Sequence, residues 1–150
     1  KVYINLNRIN DFKNKFNLQE IKFESYRELL MKNLIPFSPN DLFINKSLIL
    51  ENNFEKINAI DWKKGCYVGQ EITARMKYRA LLKKGIRTLE IISGNANPGN
   101  KILNNQNAIG EIISCINNLA IAMLKIEDAN FAFKNNKTLK TEFASLKIIN

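Results

Sequence analysis

Lys63-Lys64-Gly65-Cys66-Tyr67-Val68-Gly69-Gln70-Glu71, running on as Ile72-Thr73-Ala74-Arg75-Met76, separates two unlike halves of this 150-residue chain. Gly65 and Gly69 let the backbone turn tightly and approach a neighbour closely. Residues 68–78 lack Pro and contain good helix formers, so a helix is expected to begin at or just after Cys66. That places a thiol near a helix N-terminus beside Lys63 and Lys64, where free amides, the positive end of the dipole and the ammonium groups favour a reactive or metal-interacting sulfur. The plainer alternative is a small buried residue; the flanking glycines and lysines favour a functional one.

Downstream the pattern turns to period two. Residues 86–92 alternate as a strand, 94–100 read as a turn, 101–103 as a short strand, and 109–115, 119–124, 131–133 and 138–143 as further strands. Asn104-Asn105, Asn117-Asn118 and Asn135-Asn136 mark the turns between them. Short strands with Asn-rich turns predict a small antiparallel barrel, closed or nearly so, and Cys115, at a strand end, reads as a packing residue. Upstream, residues 2–6 alternate like a strand and 8–16 are ambiguous. Residues 19–32 carry Ile21, Phe23, Tyr26, Leu29, Leu30 and Met31 between charges, the pattern of an amphipathic helix that stops before Pro36. Ser38-Pro39-Asn40-Asp41 reads as a turn or short helix start capped by Ser38, and residues 54–57 as a short helical turn.

The net charge is +9, from 23 basic and 14 acidic residues, and the sequence is crowded with Lys, Asn and Ile as an AT-rich genome would produce. Distribution is more informative than the total: residues 62–90 hold eight basic and two acidic groups, an anion-attracting surface suited to a carboxylate tail or to RNA, or simply a solvated face. With no His, the chain offers no His-based acid–base catalysis, Ser–His triad or His metal site. Two cysteines are too few for a disulfide scaffold and are not spaced as a zinc or iron–sulfur ligand set, so a reducing, cytoplasmic setting fits best. No apolar run approaches a membrane span and no signal peptide is visible.

The central run resembles the signature of the YgfZ family, folate-binding proteins related to the aminomethyltransferase (T-protein) of glycine cleavage. The family pattern K-G-C-Y-x-G-Q-E-x-x-x-R is filled in register by Lys64, Gly65, Cys66, Tyr67, Gly69, Gln70, Glu71 and Arg75. Residues 50–62 resemble the family's L-E-A-N-F-D-x-L-N-G-I-D-F, with Ala59 for Gly and Trp62 for Phe. Tyr26, Leu29, Met31 and Pro36 match Y-x-x-L-R-I-x-x-G-x-P, with Leu30 where Arg is common and Leu34 where Gly is. Ile49 replaces a frequent Pro, and Ala80 a usual Gly.

The resemblance implies an α+β architecture: residues 1–80 as the remainder of a T-protein-like folate-binding domain ending in the signature, and residues 81–150 as a carboxyl-terminal antiparallel β-barrel. Family members are about twice as long, and the chain begins with Lys1, so it reads as the carboxyl part of a larger protein. The resemblance further implies a protein that binds tetrahydrofolate or a derivative and supports assembly or repair of iron–sulfur clusters in client enzymes, tRNA-modifying ones included. It is an accessory factor rather than a catalyst on this reading. Cys66 would hold iron, a cluster or a one-carbon group, with Lys64 and Tyr67 beside it and Gln70, Glu71 and Arg75 as its supporting hydrogen-bond shell. Tyr26, Glu51, Gly65 and Gly69 would contact the folate: Tyr26 by stacking, unless it is a core aromatic, and Glu51 by accepting hydrogen bonds, unless it is a structural partner for a Lys or an amide. With Leu30 in place of Arg, Arg27 stands in as the carboxylate clamp. Two alternatives remain open. One is a true aminomethyltransferase, for which Asn40-Asp41-Leu42 resembles the transferase's G-N-D-I. The other is an RNA-binding module using residues 62–90 with Trp62, Tyr67 and Tyr78 as stacking groups.

Overall fold

Period-two alternation in the carboxyl-terminal half closes into a barrel. In the computed structural model, which describes residues 2–79 and 82–150, a 3₁₀ turn (Leu6–Arg8) leads into three helices, α1 (Ile9–Phe16), α2 (Phe23–Lys32) and α3 (Gln70–Tyr78). The strands β1 (Lys84–Gly94), β2 (Lys101–Asn104), β3 (Asn107–Ile116) and β4 (Leu119–Lys125) follow, then α4 (Ile126–Lys134), β5 (Thr138–Lys140) and β6 (Ala144–Ile148). Every pairing is antiparallel, in the cyclic order β1-β4-β3-β2-β5-β6. Closure leaves no edge strand with unpaired backbone groups. The α+β class and the small antiparallel barrel expected from the sequence are therefore what forms.

The strands are buried on two faces. Along β4, Ala120, Ala122 and Leu124 point into the barrel with Leu89, Ile102, Ile109, Ile112, Leu139 and Leu146. Leu119 and Ile121 point outward, where Met31 and Leu34 cover them together with Ile86 and Ile113. The helix before the signature is thus docked on the outer wall, and the buried Thr88 hydroxyl donates to the Met31 carbonyl to fix it there. Register shifts at Ile91/Ser93, Ile102/Leu103 and Ile112/Ser114 supply the bends that closure needs. At Gly94 and Gly110 a Cβ would collide with the Phe143 and Met123 carbonyl oxygens, so only glycine lets the strands approach there.

The Asn turns form where expected: Asn105, Asn117 and Asn136 all take left-handed φ, which Asn tolerates better than other non-glycine residues. Several local expectations are corrected. Residues 2–5 form no strand; the 3₁₀ turn and α1 follow, and Asn17 at φ 50° ends α1. α2 begins at Phe23 rather than at residue 19, and residues 38–41 and 54–57 are turns without a helix. Phe131-Ala132-Phe133 is not a strand but lies in α4, whose buried face is the i, i+3 pair Ala129 and Ala132, with both Phe rings outside. Glu127 and Asp128 in its first turn complement the helix dipole. The strand expected over 138–143 stops at Lys140, because Thr141 turns the chain: its hydroxyl accepts from the Phe143 and Ala144 amides. β6, which closes the barrel against β1, was not foreseen. Ala80, standing where the resemblance has Gly, lies outside the described residues.

Candidate functional site

The signature forms a loop held out from the body by two anchors. On the near side, the Lys63 amide donates to the Asp61 carboxylate at 2.8 Å, and the half-buried Trp62 indole donates to Glu55 at 3.0 Å. On the far side, Tyr78 meets Trp62 edge-on at 5.9 Å, and Lys77, paired with Glu55, lies 5.7 Å from the Trp62 ring centre. Loop and helix are therefore clipped together through Glu55 and Trp62, with residues 63–69 bowed between them. Gly69, at φ 88°, makes the turn into α3. The Gln70 carboxamide accepts from the Tyr67 amide at 3.1 Å and the Gln70 amide donates to the Tyr67 carbonyl at 3.2 Å, so Gln70 closes the loop on itself.

Cys66 stands exposed on this loop. Lys64 places its ammonium 4.6 Å from the centre of the Tyr67 ring, so the residues on either side of Gly65-Cys66 form a cation–π pair. Glu71 and Arg75 pair with one another at i, i+4 on the exposed face of α3, whose one buried residue is Thr73. The helix begins at Gln70, so Cys66 lies ahead of the cap and outside the first turn, where the dipole acts. What sets Cys66 apart is access and the adjoining lysine rather than a helix end. Cys115, by contrast, is half-buried, and desolvation pushes its thiol up to about 11, which keeps it protonated and inert. Among the described residues no three His, Cys, Asp or Glu side chains converge to hold a metal ion.

The residues expected to contact folate are not brought together. Gly65 and Gly69 belong to the open loop, and a Cβ on either would meet nothing within 4 Å. Tyr26 is half-buried on α2, 6.3 Å from the Phe23 ring. Glu51 lines a separate cleft of about 390 Å³ with Lys46, Lys83 and Lys84, and its backbone carbonyl accepts from the Ile86 amide at 2.9 Å. Its three lysines, which suit an anionic tail, share the lining with the carboxylates of Asp41, Glu51 and Glu111 and with the apolar Phe43, Ile113 and Met123. Burial raises the Glu51 carboxyl above its ordinary range, opposed by Lys84. The ionised form is the one the fold disfavours, so Glu51 supports the fold fully only below the ordinary carboxylate range and less as pH rises through it. Glu51→Gln is accordingly expected to match the parent chain near pH 4 and to gain relative stability toward pH 7. Urea denaturation at the two pH values checks this; an equal difference at both would exclude it.

Arg27 is no carboxylate clamp. It is 4 % exposed, and its guanidinium grips the wholly buried Asp41 through two bonds of 3.0 and 3.1 Å. Asp41 also accepts from the Phe37 amide at 2.7 Å and from the Ser114 hydroxyl of β3. One carboxylate thus joins α2, the turn at residues 37–41 and the barrel. The sequence signal for it was Arg27 lying on the same helix face as Leu30 and Met31, since a buried arginine requires a carboxylate. Asp41 is spent on this network, which leaves the transferase reading without a free carboxylate at that position. Of the three aromatics considered for RNA stacking, Trp62 is engaged by Glu55, Tyr78 and Lys77.

Comparison with known proteins places this geometry. Residues 83–149 match the family described as CAF17, C-terminal beta-barrel domain. An iron–sulfur cluster assembly factor IBA57 homolog, mitochondrial, of Neurospora crassa is 44 % identical over 52 residues, covering 35 % of this chain and 12 % of that protein. The corresponding protein of Aspergillus oryzae is 31 % identical over 75 residues, 50 % of this chain and 17 % of the relative. The tRNA-modifying protein YgfZ of Aliivibrio fischeri is 43 % identical over 54 residues, 36 % of this chain and 17 % of that protein. The matched segments span under a fifth of the length of each of these relatives. The closed barrel is thus similar to the CAF17 carboxyl-terminal barrel domain, and the shared segments are similar to those of IBA57 homologues and YgfZ.

Proposed function

We propose that this chain is part of a factor that supports assembly or repair of iron–sulfur clusters, with Cys66 as the residue that meets the iron, the cluster or a one-carbon group. The observation that carries the reading is the exposed thiol of the signature loop, clipped at both ends and flanked by Lys64 and Tyr67, in a chain whose second thiol is half-buried. The names of its relatives supply the chemistry: an iron–sulfur assembly factor and a tRNA-modifying protein. On this reading residues 1–80 are the remainder of a folate-binding domain and residues 81–150 its barrel. The ligand is tetrahydrofolate or a derivative, the clients are iron–sulfur enzymes, tRNA-modifying ones among them, and the setting is the cytoplasm. No helix among the described residues is long and apolar enough to cross a membrane.

The chain's own residues then act as follows. Gln70 holds the loop conformation through its two bonds to Tyr67. Glu71 and Arg75 present a paired, hydrogen-bonding face on the helix that follows the loop. Lys64 offsets the negative charge that the sulfur acquires when it bonds a metal. Lys46, Lys83 and Lys84 suit the carboxylate tail of a folate. A bound folate would supply one-carbon chemistry.

Anaerobic titration of the full-length protein with tetrahydrofolate, with and without ferrous iron and sulfide, tests the proposal. Saturable folate binding is expected, together with a sulfur-to-iron charge-transfer absorption that the Cys66→Ala variant lacks. Identical spectra for parent and variant would remove Cys66 from the role.

A further inference from the structure

On the barrel wall next to α2, a second cleft of about 400 Å³ holds Arg87 and Lys56 and, among the described residues, no acidic side chain. Arg87 is on β1, and its guanidinium is held in place rather than mobile. One Nη donates to the Ile86 carbonyl at 3.0 Å and the other to the Asn130 carboxamide of α4 at 3.1 Å. The rest of its five N–H donors are left over. No described acidic group lies within ion-pair distance of it, whereas the buried Arg27 of α2 is paired with Asp41. Half-buried, Arg87 pays for desolvation without a counter-ion, and burial lowers its pKa accordingly. Lys56 is exposed and likewise has no ion-pair partner among the described residues. The remaining wall mixes the apolar Leu34, Ile57 and Phe133 with Asn33, Asn53, Asn130 and Asn150.

Two cations without an ion-pair partner, one of them held in place by its bonds to Ile86 and Asn130, beside a wall that mixes Asn amides with Leu34, Ile57 and Phe133 make a recognition surface. A doubly charged oxyanion matches both groups at once, where a single carboxylate would leave one unmatched. The volume suits a small molecule, and the Phe133 ring with Leu34 and Ile57 suits an apolar or aromatic body behind the anionic group. We infer that this cleft binds a small phosphate monoester, its phosphate on Arg87 and Lys56 and its body against Phe133. None of the signature residues lines this cleft, so the site stands apart from Cys66 and from the Lys46, Lys83 and Lys84 cleft.

Amide-resolved NMR of the full chain, titrated with phenyl phosphate at constant ionic strength against sodium chloride, tests the assignment. Saturable shifts are expected at the Arg87 side-chain N–H and at Asn130. Arg87→Gln should weaken binding about tenfold or more, as loss of a charged hydrogen-bonding partner does. Lys56→Gln should weaken it several-fold, and Lys140→Gln, at an exposed lysine of β5, not at all. Should Arg87→Gln fail to fold, Lys56→Gln carries the question, and unchanged affinity in that variant overturns the site. So do shifts that never saturate or that chloride reproduces. Inorganic phosphate binding as tightly as phenyl phosphate would overturn the part assigned to Leu34, Ile57 and Phe133.

Discussion

A Cys66→Ala protein is expected to restore no iron–sulfur enzyme activity to a strain lacking the parent gene, while melting at the temperature of the parent. The two halves of that result have different causes. Cys66 is exposed on a loop, so shortening its side chain removes no packing and leaves no cavity. Its loss removes the one exposed thiol among the described residues, since Cys115 is half-buried and burial raises its pKa to about 11. Cys66→Ser keeps the size of the side chain and is expected to fail as well, because a hydroxyl is a poor ligand for iron. Complementation by either variant at the parent level would end the proposal. A fall in melting temperature would instead identify Cys66 as structural.

Asp41→Ala is expected to have the largest effect on stability. The side chain is wholly buried and satisfies three partners: the Arg27 guanidinium, the Phe37 amide and the Ser114 hydroxyl. Removing it strands a buried guanidinium, which costs about 3–5 kcal/mol. For a chain of this length that corresponds to a fall on the order of 10 °C in melting temperature. The Arg27→Met/Asp41→Leu double variant, which removes both charges together, should recover most of the loss, because the penalty lies in the unpaired charge rather than in the absent pair. Thermal and urea denaturation of the single and double variants decide it. A single variant as stable as the parent would show that α2 is held to the barrel by the packing of Met31 and Leu34 and the Thr88 bond without the ion pair.

These predictions fall on different parts of the chain because sequence and structure divide the information unevenly. Local pattern located most of the barrel: the alternation of residues 86–92, 109–115 and 119–124, and the Asn pairs whose first or second residue takes left-handed φ. It failed where two periods fit the same letters. Phe131-Ala132-Phe133 satisfies a strand, and only the burial of Ala129 and Ala132 against the barrel end makes it a helix. β6 follows a turn made by Thr141, whose hydroxyl bonds to Phe143 and Ala144, and alternation carries no record of such bonds. In the site, residue types pointed to Cys66, but the exposure of that thiol is a property of the fold.

The sequence by itself determined most strands of the antiparallel barrel, a helix downstream of Cys66 and the membership of Cys66 in a glycine-bounded basic loop, because strand alternation, helix formers and turn residues act over a few neighbours. Tertiary structure alone decided that Arg27 answers to Asp41 and not to a ligand, that Glu51 lies in a different cleft from the signature, and that Arg87 faces a cavity without a counter-charge. Those outcomes depend on charges brought together across 14 residues or more, as in the Arg27–Asp41 pair. Electrostatic pairing acts through space, and the linear order of residues does not record which charges the fold will make neighbours.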